Sequence, residues 1–160
     1  MFKYFRRQQS PAELLTSTLY DEATFYPKFI DDLKRCQHEA IIESPFVTGR
    51  RANVLLPILQ KLKSRSVRIA ITTRDPEEHD DDYLRSEARR AISSFQQAGI
   101  QVIYSNRHHR KLAILDRAVL YEGSLNILSH NDSREIMRRI ESVQLAWQMA
   151  RFVKVDAFVG

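Results

Sequence analysis

The chain has 160 residues, 28% of them charged and 43% hydrophobic, which fits one domain with a single core and argues against disorder. Lys and Arg total 25 against 20 Asp and Glu, a net charge of +5 that favours an anionic partner: nucleic acid, an anionic membrane or a phosphorylated substrate. A single cysteine, Cys36, excludes an intrachain disulfide framework, no Cys/His spacing matches a zinc module, and no run approaches the roughly 18 apolar residues of a membrane span.

In chain order, Ser10, Pro11 and Glu13 read as a capping box with proline at the first helical position, predicting a helix of two to three turns through Tyr20. Arg6 and Arg7 precede no apolar run, so no secretory signal is evident and a cytoplasmic setting is expected. A second helix is predicted over 24–37, with Phe25, Phe29, Ile30 and Leu33 on one face and Pro27 in its first turn. Residues 39–46 read as a strand ending at a proline, 53–64 as a helix, and 67–72 as a β-branched strand. The acidic stretch 75–82 reads as a solvated loop, 83–98 as an amphipathic helix stopped by Gly99, and 100–104 as a strand. Beyond it the pattern changes: strands over 109–115 and 118–122 joined at Asp116 and Arg117 as a hairpin, a strand over 135–140, and a helix over 142–153. The alternation predicts an α/β domain with a mixed, largely parallel sheet flanked by helices on both faces. We place an N-terminal helical extension at 1–24 and the main domain at 25–160, without repeats or linkers.

The informative segment runs from His109 to Asp116 and is followed, six residues later, by Gly123, Ser124 and Asn126. On a strand, His109 and Lys111 project from one face and Arg110 from the other. An imidazole beside an ammonium suits attack on a phosphate, with lysine holding the anionic oxygens. Gly123 permits close backbone approach, and Ser124 and Asn126 offer neutral donors to the same group.

These residues resemble the phospholipase D superfamily signature, His-x-Lys-x4-Asp followed by Gly-Ser-x-Asn, and every position matches. The resemblance implies that His109 attacks phosphorus to form a phosphohistidine, and that Lys111, Ser124 and Asn126 bind the phosphate. Asp116 completes the catalytic set in a more orienting role, and Glu135 corresponds to the acid that fixes the histidine tautomer. No metal or cofactor is implied. The implied fold is an α-β-α sandwich. None of His38, His79, His108 or His130 begins a second motif, and a lone histidine lacks a general acid for the leaving group. As in the small endonuclease branch, the resemblance implies a homodimer with one composite site. Arg50, Arg51, Arg107 and Arg110 are candidate nucleic-acid contacts, supported by an acid-free stretch from Arg50 to Arg68. Phe46 is a candidate for stacking on a base, though core packing is its commoner fate. The expected function is a metal-independent nuclease, DNA favoured over RNA, either free-standing or part of a larger DNA-processing protein. A phospholipid phosphodiesterase or transferase and a non-catalytic nucleic-acid-binding dimerisation module remain alternatives; no membrane partner is expected.

Overall fold

The computed structural model describes residues 17–130 and 132–154. Its seven strands are β1 (Ser17–Asp21), β2 (Glu39–Glu43), β3 (Arg68–Thr73), β4 (Gln101–Tyr104), β5 (Leu112–Leu115), β6 (Val119–Gly123) and β7 (Ile136–Glu141). Its helices are α1 (Phe25–Lys34), α2 (Gly49–Ser64), α3 (Asp82–Gln97) and α4 (Val143–Phe152). The strands form one mixed sheet in the order β1-β7-β6-β5-β2-β3-β4.

Only β2–β3 and β3–β4 are parallel pairs; the other four pairings are antiparallel. Five strands nevertheless point the same way, because only β5 and β7 run against the rest. The expected parallel character is therefore true of strand direction, while the hairpins of the second half make most neighbours antiparallel.

One face of the sheet carries Ala40, Ile42, Ile69, Ile71, Ala113 and Tyr121 and packs against α1, α2 and α3. The other carries Ile41, Leu112, Ile114 and Leu120 and packs against Ala146 and Ala150 of α4. Small residues on α4 let its backbone lie close to the sheet, and Ser142 caps its start by accepting from the Leu145 N–H at 3.2 Å. Inside the larger layer, the Asp32 carboxylate accepts from Tyr121 Oη at 2.6 Å and from Arg139 Nε at 2.5 Å, tying α1 to β6 and β7. Burial opposes ionisation of Asp32, but these hydrogen bonds and the Arg139 charge hold its carboxyl below the usual carboxylate range.

Two expectations are corrected here. Residues 17–21 are not the end of a helix: they form β1, an edge strand paired with β7 in the register Leu19↔Arg138. Pairing with β7 overrides the local helix signal, since it supplies β7 with the partner its outer edge otherwise lacks. Residues 1–16, including the expected cap at Ser10, lie outside the described residues. The strand expected from His109 begins only at Leu112, so His109, Arg110 and Lys111 belong to the segment leading into β5. Elsewhere α2 starts earlier than its apolar stripe suggests, at Gly49, whose N–H is accepted by Glu87 Oε1 at 3.0 Å. The acidic loop contains caps: Asp75 accepts from Glu77 N–H, and Asp81 from Leu84 N–H at the start of α3.

The β5–β6 turn sits where the sequence predicts, with Asp116 and Arg117 both at φ +52 as the central left-handed pair of a turn closed by the Ala118 N–H, which donates to the Leu115 carbonyl at 3.0 Å. The Asp116 carboxylate accepts from three consecutive backbone amides, Gln37 at 2.9 Å, His38 at 2.8 Å and Glu39 at 2.9 Å. It thereby fixes the hairpin against the start of β2. Asp116→Ala leaves three amides without this acceptor and strains the left-handed turn. It should lower unfolding free energy by about 2 kcal/mol, read as a lower urea midpoint, whereas Asp116→Asn should lose less.

Candidate active site

Because β5 and β7 run against the other strands, the carboxyl ends of five strands and the amino ends of β5 and β7 share one edge of the sheet. His109, Lys111, Gly123 and Glu135 all fall along it. Open α/β sheets bind their ligands at such carboxyl edges.

His109 is exposed, and Lys111 Nζ donates to its carbonyl oxygen at 2.8 Å. This contact, rather than a common strand face, joins the pair. The His109 ring faces Arg74, at the end of β3: Arg74 Nη2 stands 2.7 Å from Nε2 and 3.1 Å from Nδ1. Arg74 Nε also donates to the His108 carbonyl at 2.9 Å. Sequence reasoning missed Arg74, whose only signal was its place immediately after an apolar strand of the sheet.

The Gly-Ser-x-Asn segment leaves β6 toward this edge. A Cβ on Gly123 would lie 2.3 Å from the Ile136 carbonyl oxygen and 2.9 Å from Met137 Cα, so only glycine permits the approach of β7. Ser124 clasps the same residue, its N–H donating to Ile136 O at 2.9 Å and its Oγ accepting from Ile136 N–H at 3.0 Å. Its hydroxyl thus serves the strand junction before any phosphate. Asn126 is 9% exposed, and among the described residues its buried Oδ1 has no hydrogen-bond partner; that oxygen can only accept, so a phosphate oxygen would have to be met by the amide Nδ2. Tyr26 Oη lies 3.0 Å from the carbonyls of both Asn126 and Ile127 and 3.2 Å from that of Ser129, pinning the segment from the α1 side. Burial pushes the Tyr26 hydroxyl up to about 12 despite the Arg51 guanidinium stacked 3.2 Å over its ring.

Asp116 does not join this group. It lies at the opposite end of β5, bound to the amides of 37–39, so its role is to hold the hairpin and not to touch a substrate at the His109 edge. Glu135 is at the edge, but its backbone N–H donates to Glu22 Oε2 at 2.9 Å, and among the described residues its carboxylate makes no hydrogen bond to His109. Arg74 occupies the position beside the ring that was expected of Glu135.

The candidate nucleic-acid contacts divide by partner. Arg110 pairs through Nε and Nη2 with the two oxygens of buried Glu43, at 2.6 and 3.1 Å, so its charge is compensated. Arg51 is committed to Tyr26. Arg107 is exposed, its left-handed backbone (φ +54) held by an N–H donation to Glu78 Oε2 at 3.1 Å. Arg50 is exposed too, its Nη1 2.9 Å from His130 Nε2. Phe46 stacks on His79 at 5.3 Å and is not presented as a free platform. His79 and His108 are buried, which holds both rings below the ordinary histidine value, with Arg74 adding to the effect on His79 and Glu43 opposing it at His108. Among the described residues no group of three or more His, Cys, Asp or Glu side chains is arranged to hold a metal ion.

Comparison with known proteins gives the family. A model of the cardiolipin synthase, PLD-like domain matches residues 29–156. The chain belongs to the phospholipase D-like family. No curated protein sequence matches it. The fold resembles the phospholipase D family member Nuc from Salmonella typhimurium with a TM-score of 0.70, at 14% identity over 90% of this chain and 96% of that one. It likewise resembles NucT from Helicobacter pylori (TM-score 0.68, 14% identity, 89% and 96% covered). TrmBL2, an archaeal chromatin protein, matches at a TM-score of 0.59 and 14% identity, over 90% of this chain and 52% of that one. At these identities the likeness is one of fold, and it agrees with the α/β class read from the sequence. In phospholipase D-like terms the motif histidine and lysine are in contact, Gly123 N–H reaches the Lys111 carbonyl at 3.3 Å, and the motif aspartate stands apart.

Gly123→Ala tests the close approach directly. The added methyl must push β7 away from β6, so the variant should lose about 1–3 kcal/mol of stability, read as a lower thermal midpoint. Ser124→Ala should lose less, since it removes only the hydroxyl's hydrogen bonds to the Ile136 backbone without a clash.

Proposed function

We propose that this chain is a phosphodiesterase that cleaves nucleic acid, DNA in preference to RNA, through a covalent phosphohistidine. The observation that carries the reading is the exposed His109 on an edge where Lys111 has no carboxylate in salt-bridge range among the described residues. An imidazole lone pair attacks phosphorus, the P–N bond forms, and the P–O bond to the leaving strand breaks. Lys111 and Asn126 take the non-bridging oxygens, and Ser124 keeps the Asn126 turn in place. Water then attacks the phosphohistidine and restores the ring.

The leaving oxygen needs a proton in the first step, and the attacking water must lose one in the second. His108 and His79 are buried and held in other contacts, so neither is placed to shuttle it. In this proposal the partner's His109, across a twofold axis, gives the proton and takes it back. Exposed Arg50 and Arg107 then extend the positive surface for flanking phosphates. The similarly folded archaeal chromatin protein TrmBL2, which binds DNA, supports a nucleic acid as the substrate. We further place the chain in the cytoplasm, as a free nuclease or as one domain of a larger DNA-processing protein. Glu135 remains, in this proposal, able to reach the His109 ring when Arg74 turns away from it. No helix among the described residues is long and apolar enough to cross a membrane.

One feature favours phospholipid as a second substrate class. A groove of about 450 Å³ beside Lys111 and Gly123 is lined by Leu19, Leu112, Ile136, Met149 and Phe152. Leu19, Ile136 and Phe152 are 55%, 59% and 74% exposed, an apolar surface that an acyl chain or a second copy would cover.

The test uses supercoiled plasmid, single-stranded DNA and RNA in excess chelator, with His109→Ala alongside. DNA cleavage that persists in chelator and vanishes in the variant is expected. Cleavage by His109→Ala would overturn the mechanism, and head-group release from phospholipid vesicles with all nucleic acids intact would promote the lipid reading. Sedimentation at micromolar concentration should show a dimer; a fully active monomer would contradict the shared site.

A further inference from the structure

Several arginines of the molecule are already neutralised. Arg110 pairs with Glu43, Arg139 with Asp32 and Glu141, Arg85 with Asp82, and Arg89 with Glu77. Arg74 differs. Among the described residues no carboxylate lies in salt-bridge range of its guanidinium, although it begins the acidic stretch Asp75–Asp82. Its hydrogen-bonding contacts are the His108 carbonyl and the His109 ring, with the Phe46 ring 5.1 Å beneath it.

This geometry has two parts. The Nε bond to His108 O anchors the guanidinium to the backbone one residue before the nucleophile, so its position follows that of His109. The Nη2 group stands 2.7 and 3.1 Å from the two ring nitrogens at once. A guanidinium has donors and no acceptor, and the imidazole nitrogen that attacks phosphorus must offer a lone pair, so a ring lone pair that accepts from Nη2 is the one the reaction would use. It also occupies the space in front of the ring that a phosphoryl group must enter. An arriving phosphodiester offers Nη2 a charged oxygen in place of a neutral ring nitrogen, and hydrogen bonds between charged partners are the stronger ones.

We propose that Arg74 is a catalytic residue of this site: tethered by its Nε to His108, it passes its Nη2 from the His109 ring to a non-bridging phosphoryl oxygen as attack proceeds. The inference rests on His109 as the nucleophile. Negative charge on the equatorial oxygens grows toward the five-coordinate transition state, so a preplaced guanidinium contributes more there than to substrate binding. No bond to Arg74 forms or breaks, and its proton count does not change.

The experiment measures hydrolysis of bis(p-nitrophenyl) phosphate, a minimal phosphodiester, by the full chain and by Arg74→Ala, Arg74→Gln and His109→Ala. Glutamine keeps a donor for the His108 carbonyl and loses the charge. Both Arg74 variants should lose about a hundredfold in kcat while KM changes by less than about threefold. Added methylguanidinium should restore part of the Arg74→Ala rate. Wild-type kcat in Arg74→Gln would overturn the proposal and reduce Arg74 to a backbone tether, and failure of methylguanidinium to restore any activity would count against it equally. The two readings fail separately: an active His109→Ala removes the nucleophile, whereas an inactive His109→Ala beside a fully active Arg74→Gln removes only the role of Arg74.

Discussion

The arrangement of the molecule depends on one carboxylate bound to three amides. Asp116 sits in a left-handed hairpin turn and gathers the N–H groups of residues 37–39, which fixes β5 beside β2 in the register Ile41↔Ile114. A slip of one residue would turn Ile114 and Leu112 from the α4 side to the α1 side and reverse the burial of the whole strand. With the register fixed at that end, the other end of β5 follows: Glu43 faces Leu112, and Arg110, just beyond, reaches Glu43. His109 is thereby delivered to the edge where β3 ends at Arg74. Asp116 therefore bears on the position of His109 through the length of a strand rather than by contact.

A second constraint is charge compensation. Glutamates 39 and 43 lie on the α4 side of the buried strand β2, and each is matched by arginine: Glu39 by Arg117 and Arg68, Glu43 by Arg110. Buried carboxylates require such partners, and meeting that requirement consumes cations that sequence alone would assign to a polyanion. In the proposed function, what remains for phosphate is a smaller set, with Arg74 and Lys111 beside His109 and with Arg50 and Arg107 flanking. Net charge thus describes the site less well than the list of which charges are already paired.

The sequence made the core legible wherever periodicity was strong. The apolar faces of α1, α2 and α3, the strands β2 and β3 and the turn at Asp116 and Arg117 all follow from patterns of burial or left-handed turn residues. Gly123 was read as admitting a phosphate, whereas the neighbour its missing side chain admits is β7, at Ile136 and Met137. Two things were not legible. β1 is a strand because β7 needs a partner, and nothing within residues 17–21 announces that long-range pairing. The partners of charged residues are equally invisible: Arg110 was assigned to nucleic acid and is held by Glu43, Glu135 was assigned to His109 and makes no hydrogen bond to it among the described residues, and Arg74 carried no motif at all. Such contacts join positions far apart in the chain, and a motif fixed by local spacing cannot report them.

Covalent attack by His109 is the central claim, and the stereochemical course at phosphorus tests it most directly. A phosphorothioate diester of defined configuration, cleaved in oxygen-18 water, should give product with retained configuration, because attack by histidine and then by water inverts phosphorus twice. Net inversion would show a single direct attack by water and would contradict the phosphohistidine.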